Sequence, residues 1–451
     1  MSTPTYTGVE ACSFPCQEQL LSQRSTASSG GAAEKNVVES MRTAPVFHCR
    51  LCNRLLDNRG LLLTQIPICN RFTTSKEPVE RHDLHLDQCA RCQLIQLCEP
   101  LPVDKVMPRL PWIKYREPEG HLDSVVDRLL SAHGSKAGSS FGVGPFDQPL
   151  LCRLEQRGLS SLVLETRPPL SGEEGKGFPY LESWQLGLNA AILAGIADTR
   201  GKADIVSCRY LLEHCHDPLG ALRALRQLVS VDGVLIVEVP DSTKFLAARD
   251  FSFIWEEHIS YFVESTLRLL AAKAGYAVLD LHRYPGDLED ALVAVLRPSA
   301  SEGGADAAQT CSSHSDLFRF YVSSLPQTRD FVRSSVAAAA GPSRDGVALF
   351  GIGHQAVMFV NAFDLSEYVA AAVDDDPSKG GYFPPGFRVP VIPSQALLQD
   401  DRIQTCLLAV APGIEHKIRD KLAPLAERGV QFHSIFAGVP GSLLSGSSSW
   451  R

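Results

Sequence analysis

Two Cys-x-x-Cys pairs, Cys49/Cys52 in FHCRLCN and Cys89/Cys92 in LDQCARCQL, supply the four thiolates that satisfy a tetrahedral Zn²⁺ completely. Such a site keeps no open position for water or substrate, so it folds the chain rather than reacting. The gap from Asn53 to Gln88 is longer than in a short zinc ribbon, and four reduced cysteines packed as small apolar residues are the alternative reading. A second group lies in DFSFIWEEHISYF (250–262), which gathers Trp255, Glu256, Glu257, His258 and Tyr261. A carboxylate beside an imidazole can orient it and raise its basicity, which proton abstraction near neutral pH requires. The other reading is an amphipathic helix start with a solvated acidic face. In ADIVSCRYLLEHCHDP (203–218) His214 and His216 fall just beyond an expected buried strand, either in reach of a substrate or as capping and packing residues.

A third group would hold a ligand. FGVGPFDQPLL (141–151) places Gly142, Gly144 and Asp147 before a helix, and Glu165 closes the following run SLVLE. In a doubly wound fold, ligands lie beyond the carboxyl ends of the strands, where glycines allow close backbone approach and an acid can hydrogen-bond a ribose diol. A purely structural turn remains the alternative.

These groups need elements to position them. From about residue 121 apolar β-type runs alternate with helical stretches: SLVLE, ADIVSC, GVLIVEVP, YAVLDLH and ALVAVLRP. That alternation predicts an α/β fold with a mostly parallel sheet, and the turn-like RYPGDLED between the last two runs suggests an antiparallel edge hairpin. AHGSKAGSS, ahead of the glycine turn, makes a poor strand. A second α/β unit reads from GVALFGIGHQAVMFVNAF through YVAAAVDDDP to TCLLAVAPG. The resulting division is a disordered Ser/Gly/Ala-rich tail (1–44), a cysteine module (45–120), a first α/β domain (121–298), a linker and a helical segment interrupted at Pro326 (299–343), a second α/β domain (344–440) and a frayed end (441–451).

Composition excludes several classes. The chain has 451 residues, 44% apolar and 21% charged, which suits two or three globular domains. A net charge of −8 offers no extended basic surface for phosphates, so nucleic acid is not an expected partner. The longest apolar run, LGLNAAILAGIA, falls short of the ~18 residues of a membrane span. Thirteen cysteines, several inside apolar runs such as Cys208 and Cys406, suit a reducing compartment, so a cytoplasmic location is expected.

Several motifs in one order give a further reading. CARCQLIQL, RYLLEHCHDP, VEVPD, EEHISYF, GIGHQAVMF and VDDDPSKGG together resemble the C-methyltransferases that act on nucleotide-activated deoxysugars, over about residues 47–436. The resemblance implies an N-terminal zinc module, a class I S-adenosylmethionine-dependent methyltransferase domain with a Rossmann-like sheet, and a second, C-terminal Rossmann-like domain. It implies that a base removes a proton beside a keto group and that the enolate is methylated, with His258 as base and Glu257 and His214 orienting or polarising. Cofactor contacts would fall to Gly142, Gly144, Asp147 and Glu165, structural zinc to Cys49, Cys52, Cys89 and Cys92, and the partner would be a small nucleotide-linked sugar. The oligomeric state is not legible.

The chain departs from that family at three places. The first loop has Gly142 and Gly144 followed by Pro145-Phe146-Asp147-Gln148, without the family's opening acid and final glycine, so a side chain at Gln148 could crowd the methionine end of the cofactor, and a pocket filled by Phe146 and Gln148 would rule out the enzymatic reading. Trp255 stands where the family has tyrosine, and it cannot ionise or accept a hydrogen bond. Between Cys92 and the first helix the family's serine-rich run is missing, with Tyr115 as the candidate replacement for its tyrosine. Two other readings stay open: a binding or scaffold protein that kept the architecture without the chemistry, and a nicotinamide-dependent oxidoreductase built on Gly351, Gly353, Ala356 and Asp374.

Overall fold

The computed structural model describes residues 46–445 apart from 77, 114, 116, 134–137, 168–180 and 300–311. The expected tail 1–44, most of the expected linker, and the last residues of the frayed end lie outside the described residues.

Three sheets organise the rest. The cysteine module contributes β1 (Leu61–Pro67), β2 (Arg81–Gln88) and β3 (Ile95–Leu97), all antiparallel. A second sheet follows with β4 (Ser139–Gly142), β5 (Ser160–Val163), β6 (Ala203–Arg209) and β7 (Val229–Asp241), which are mutually parallel. The chain then returns to the first sheet. β8 (Ser260–Tyr261), just past His258, pairs with β3 in the register Ile95 to Tyr261 and Gln96 to Ser260. The second sheet is completed by the antiparallel β9 (Tyr276–Tyr284) and β10 (Asp290–Pro298), giving the order β5-β4-β6-β7-β10-β9. The predicted hairpin is therefore present. A third, wholly parallel sheet runs β13-β12-β11-β14-β15, from β11 (Val347–Phe350), β12 (Val369–Val373), β13 (Val391–Ile392), β14 (Thr405–Leu408) and β15 (Gln431–Ser434).

The second sheet is buried on both faces because its strands alternate two apolar sets. Val206, Cys208, Leu235 and Val237 pack on one side with helix 218–225 and helix 264–273. Ile205, Val234, Ile236 and Val293 face helices 122–133 and 148–156 on the other. β4 is the strand that apolar patterning does not foresee, since polar contacts hold it instead. Ser140 and Ser161 share a hydroxyl hydrogen bond of 2.7 Å, and Asp204 accepts from the amides of Gly138 and Ser139 at 2.8 and 3.1 Å.

One further core joins the cysteine module to the third sheet, with the segment 250–262 inside it. Phe251, Phe253, Ile254, Trp255 and Tyr261 are buried among Leu63 and Leu86 of the first sheet and Val357, Phe359 and Phe363 of helix 354–362. Helix 312–340 closes this core and, contrary to the expected interruption, runs straight through Pro326. Phe318, Tyr321 and Leu325 before the proline and Val332 and Val336 after it are all buried at helical spacing, and packing on both sides outweighs a local cost of about 3 kcal/mol. Tyr321 stacks on Phe251 with centroids 4.3 Å apart and donates its hydroxyl to the Asp250 carbonyl at 3.1 Å.

Candidate active site

The cysteine knuckles are near copies of each other. In each, the amide of the first cysteine and the carbonyl of the same residue close a tight turn: Cys49 to Arg54 and Asn53, Cys89 to Leu94 and Gln93. Asn53 and Gln93, each just after the second cysteine of its pair, both adopt positive φ, at 57° and 64°. The four Sγ atoms converge within 4.8 Å of one another, with Cys49 and Cys92 at 3.3 Å and Cys52 and Cys89 at 3.5 Å. All four predicted ligands are thus brought together.

The same module grips the segment that carries His258. The Ile259 carbonyl accepts from the Leu97 amide at 2.9 Å, while the Ile259 amide donates to the Glu213 carbonyl at 2.8 Å. Tyr261 cinches the turn by accepting from the Trp255 amide at 3.2 Å. Glu256 accepts from the Cys69 amide at 2.6 Å, and Glu257 accepts from Asn70 Nδ2 and from the Tyr115 hydroxyl, each at 2.9 Å.

His258 and His214 meet in a cavity of about 270 Å³ at the carboxyl ends of β6 and β7, which is also walled by His354 of the third-sheet unit. Their rings sit edge to face, 4.8 Å between centroids. Trp255 lies over His258 at 5.1 Å and stacks on His354 at 4.0 Å. Burial drives all three imidazoles towards neutrality: His214 falls to about 3, His354 to about 4, and His258 well below its ordinary value, helped by the other two histidines. The neutral form is the one that can take a proton, but the shift lowers the basicity of His258, the reverse of the rise expected from an adjacent carboxylate. His216 is not among the residues that wall this cavity.

Glu257 corrects the expectation that it orients His258. The two are adjacent in a turn, and the Glu257 side chain leaves towards the cysteine module, where Asn70 and Tyr115 hold it. Its carboxyl lies within 4.8 Å of Glu182 and of His214 instead. Burial first, then the nearby Glu182, raises the Glu257 pKa well above the ordinary carboxylate range. The carboxyl group that does share space with His258 is Glu213, within 4.8 Å of both imidazoles. Neither Glu213 nor Glu182 stood out in the sequence, because each reaches the site from a different loop. His354 carried a signal, the histidine of GIGH, and Tyr115, the candidate replacement for the family's tyrosine, walls this cavity and donates to Glu257.

At the other edge of the second sheet, Gly142 ends β4 and Asp147 turns inward. Its Oδ2 accepts from the amides of Val143 and Gly144 at 2.9 and 2.7 Å, and the residue is fully buried. Asp147 therefore shapes the loop through Oδ2, while its buried Oδ1 has no hydrogen-bond partner among the described residues. A Cβ on Gly142 would come within 2.6 Å of Asp147 Cβ, so this glycine is needed for the turn itself. Gln148 does not crowd the crevice, since it is exposed and reaches Cys152 at 3.1 Å on its own helix. Phe146 lines a separate cavity of about 480 Å³ with Tyr115, Glu117 and Arg209. Arg209, buried at the end of β6, pairs with Glu238 at 2.5 Å and donates to the Phe146 carbonyl at 2.5 Å, bracing the loop.

Glu165 stands just beyond β5, where a carboxylate reaches a ribose diol. Arg167 holds it with two 2.7 Å contacts and lies 4.9 Å from the Trp184 ring. Gly187 abuts the end of this strand, since a Cβ there would come within 2.1 Å of the Thr166 carbonyl oxygen. In the third sheet, Asp374 folds back on the glycine turn, accepting from the Ile352 amide at 2.9 Å and from Lys379 at 2.6 Å. An acid so engaged does not favour the dinucleotide reading.

No helix among the described residues is long and apolar enough to cross a membrane. Comparison with known families matches residues 172–281 to a methyltransferase domain and residues 306–436 to a C-methyltransferase C-terminal domain. The C-methyltransferase NovU of Streptomyces niveus is 28% identical over 239 residues, which cover 48% of this chain and 54% of that protein. The chain thus spans about half the length of this curated relative. Among solved structures, a S-adenosylmethionine-dependent methyltransferase from Archaeoglobus fulgidus aligns at 11% identity and a TM-score of 0.29, over 41% of this chain and 96% of that one. Magnesium protoporphyrin IX methyltransferase from Synechocystis aligns at 14% identity and a TM-score of 0.27, over 40% and 83%. Overlaps this weak add nothing to the assignment. The sheet order fits the expected class I methyltransferase fold, with a second Rossmann-like unit beside it, and two segments of the chain are similar, in turn, to a methyltransferase domain and to a C-methyltransferase C-terminal domain.

Proposed function

We propose that the protein is an S-adenosylmethionine-dependent C-methyltransferase whose acceptor is a small keto compound, a nucleotide-linked keto-deoxysugar. The observation that carries this reading is the cavity holding His258 and His214, two neutral imidazoles walled in by both α/β units. His258 is the base for the carbon beside the carbonyl, and His214 polarises. Burial keeps His258 unprotonated at neutral pH and water scarce around the forming enolate. A neighbouring cavity of about 170 Å³ shares Tyr115, Trp255 and His354 with the first and adds Trp112 and Gly353, a ring face suited to a nucleobase.

The cofactor's place is the crevice beyond β4 and β5, with Gly142 and Gly144 giving backbone approach and Glu165 the diol acceptor. When bound, it supplies an already activated methyl group. Positioning does much of the remaining work. The four clustered thiolates suit structural zinc, because Zn–S bonds of about 2.3 Å in a tetrahedron place sulfurs about 3.8 Å apart, close to the 3.3 and 3.5 Å observed. A division into zinc, methyltransferase and C-terminal domains is supported by the three sheets, with β8 of the methyltransferase segment crossing into the first. A cytoplasmic location is consistent with the buried free cysteines.

His258→Ala is expected to keep the calorimetric affinity for S-adenosylhomocysteine while removing most turnover of thymidine diphosphate 4-keto-6-deoxyglucose, and parallel loss of both would assign the histidine to folding. Because the folded-state value of His258 is depressed, the base is active above that value and fails only on strong acidification. The wild-type rate should therefore show no inflection near the ordinary histidine value of 6.5, and one there would contradict the burial of the base. Arg167→Ala frees Glu165, so S-adenosylhomocysteine should bind about two- to fivefold tighter, in line with a partly exposed ion pair; weaker binding would mean Arg167 helps hold the cofactor. Elemental analysis should return one zinc per chain, falling to none in Cys89→Ser, and metal-free wild-type protein would overturn the zinc assignment.

A further inference from the structure

Glu213 has no role in the reading above, although it walls the same cavity. Its side chain is 1% exposed, and neither carboxyl oxygen has a hydrogen-bond partner among the described residues. A carboxyl oxygen lies within 4.8 Å of ring nitrogens of His214 and His258. Its backbone is fixed, because the Glu213 carbonyl accepts from the Ile259 amide at 2.8 Å. A buried polar group without a partner costs free energy. It is retained where something else completes it.

We propose that Glu213 is a further catalytic residue, a carboxylic acid that, alongside the polarising His214, donates its O–H to the acceptor's carbonyl oxygen as the enolate forms. This rests on the keto-acceptor reading. The spacing suits that role, because a base at the hydrogen-bearing carbon and a donor at the carbonyl oxygen two bonds away flank one C–C=O unit within such a distance. The C–H bond breaks and its proton joins the His258 nitrogen. The C–H pair becomes the carbon–carbon π bond, and the carbonyl π pair moves to oxygen, where the Glu213 proton stabilises it without leaving the carboxyl. With the cofactor bound, the enolate π pair would form the new carbon–carbon bond while the S–CH3 pair stays on sulfur, restoring the carbonyl; His258 would release its proton to water, and Glu213 ends as it began. Burial, then the nearby Glu117, Glu289 and Glu238, raises the Glu213 pKa well above the ordinary value, which supplies the protonated form that donation needs. Of the nearby cations, Arg209 is paired with Glu238 and Lys244 with Asp290.

The test replaces Glu213 by Gln, which keeps an N–H donor, and by Met, which keeps the bulk without one. The readout is deuterium exchange beside the carbonyl of thymidine diphosphate 4-keto-6-deoxyglucose, with S-adenosylhomocysteine affinity as the folding control. Glu213→Met should lose roughly 10²–10³-fold, as for removal of one oxyanion donor, and Glu213→Gln should recover at least tenfold of that. Equal loss in both variants, or no loss in Met, overturns the donor role. Infrared difference spectra decide it independently of any acceptor: wild type should show a protonated-carboxyl band at neutral pH that Glu213→Gln lacks. Absence of that band overturns the proposal. Wild-type exchange that never occurs while the band is present sinks the keto-sugar reading instead, and leaves the acid form of Glu213 established.

Discussion

The peptide of Ile259 is the joint on which this site depends. Its carbonyl is held by Leu97 of the cysteine module and its amide by the carbonyl of Glu213 in the loop after β6. One residue before it is His258, and one after it begins β8, the strand that completes the cysteine-module sheet. The proposed base is thus fixed from two sides by backbone hydrogen bonds, each worth about 1 kcal/mol net but costly to leave broken in a buried place. The knuckles set β3, β3 sets β8, and β8 sets the imidazole.

The electrostatics follow from the same enclosure. A cavity formed where three sheets meet desolvates every ionisable group in it, and desolvation favours whichever form is neutral. Histidines lose their protons and glutamates keep theirs. Together with the neighbouring imidazoles and carboxyls, this burial holds the proposed base and the proposed acid in their neutral forms. Glu257 and Glu256 show the same effect without facing the proposed base, because Oε1 of each is taken, by Asn70 and Tyr115 for Glu257 and by the Cys69 amide for Glu256. They tie the catalytic segment to the cysteine module. The third-sheet unit contributes through His354, whose ring stacks on Trp255. Tryptophan at that position gives up a hydroxyl and gains a broad surface between two imidazoles.

Much of this was legible in the residues. Fixed Cys-x-x-Cys spacing allows only a few geometries, and continuous apolar runs such as GVLIVEVP make buried parallel strands almost regardless of context. Histidine after a strand end lies near the crevice for topological reasons, which is why His214 could be anticipated, whereas His258 stands out through the carboxylates beside it. What failed to show were features set by distant contacts. β4 is serine-rich and held by Ser161 and Asp204; helix 312–340 survives Pro326 because both flanks are buried. Chain adjacency suggested that Glu257 serves His258, whereas a turn parts them and brings Glu213 in from 45 residues upstream. Asp147 read as a ligand contact, but its Oδ2 is taken by its own loop amides.

The central claim is that the clustered cysteines hold the base in place through β3 and β8. Amide hydrogen exchange of residues 258–261 before and after metal chelation, or in Cys89→Ser, tests it most directly. Protection at Ile259 and Tyr261 should collapse together with that of Ile95 and Leu97, while the strands β6 and β7 stay protected. Unchanged protection of Ile259 once the cysteine cluster is undone would contradict it.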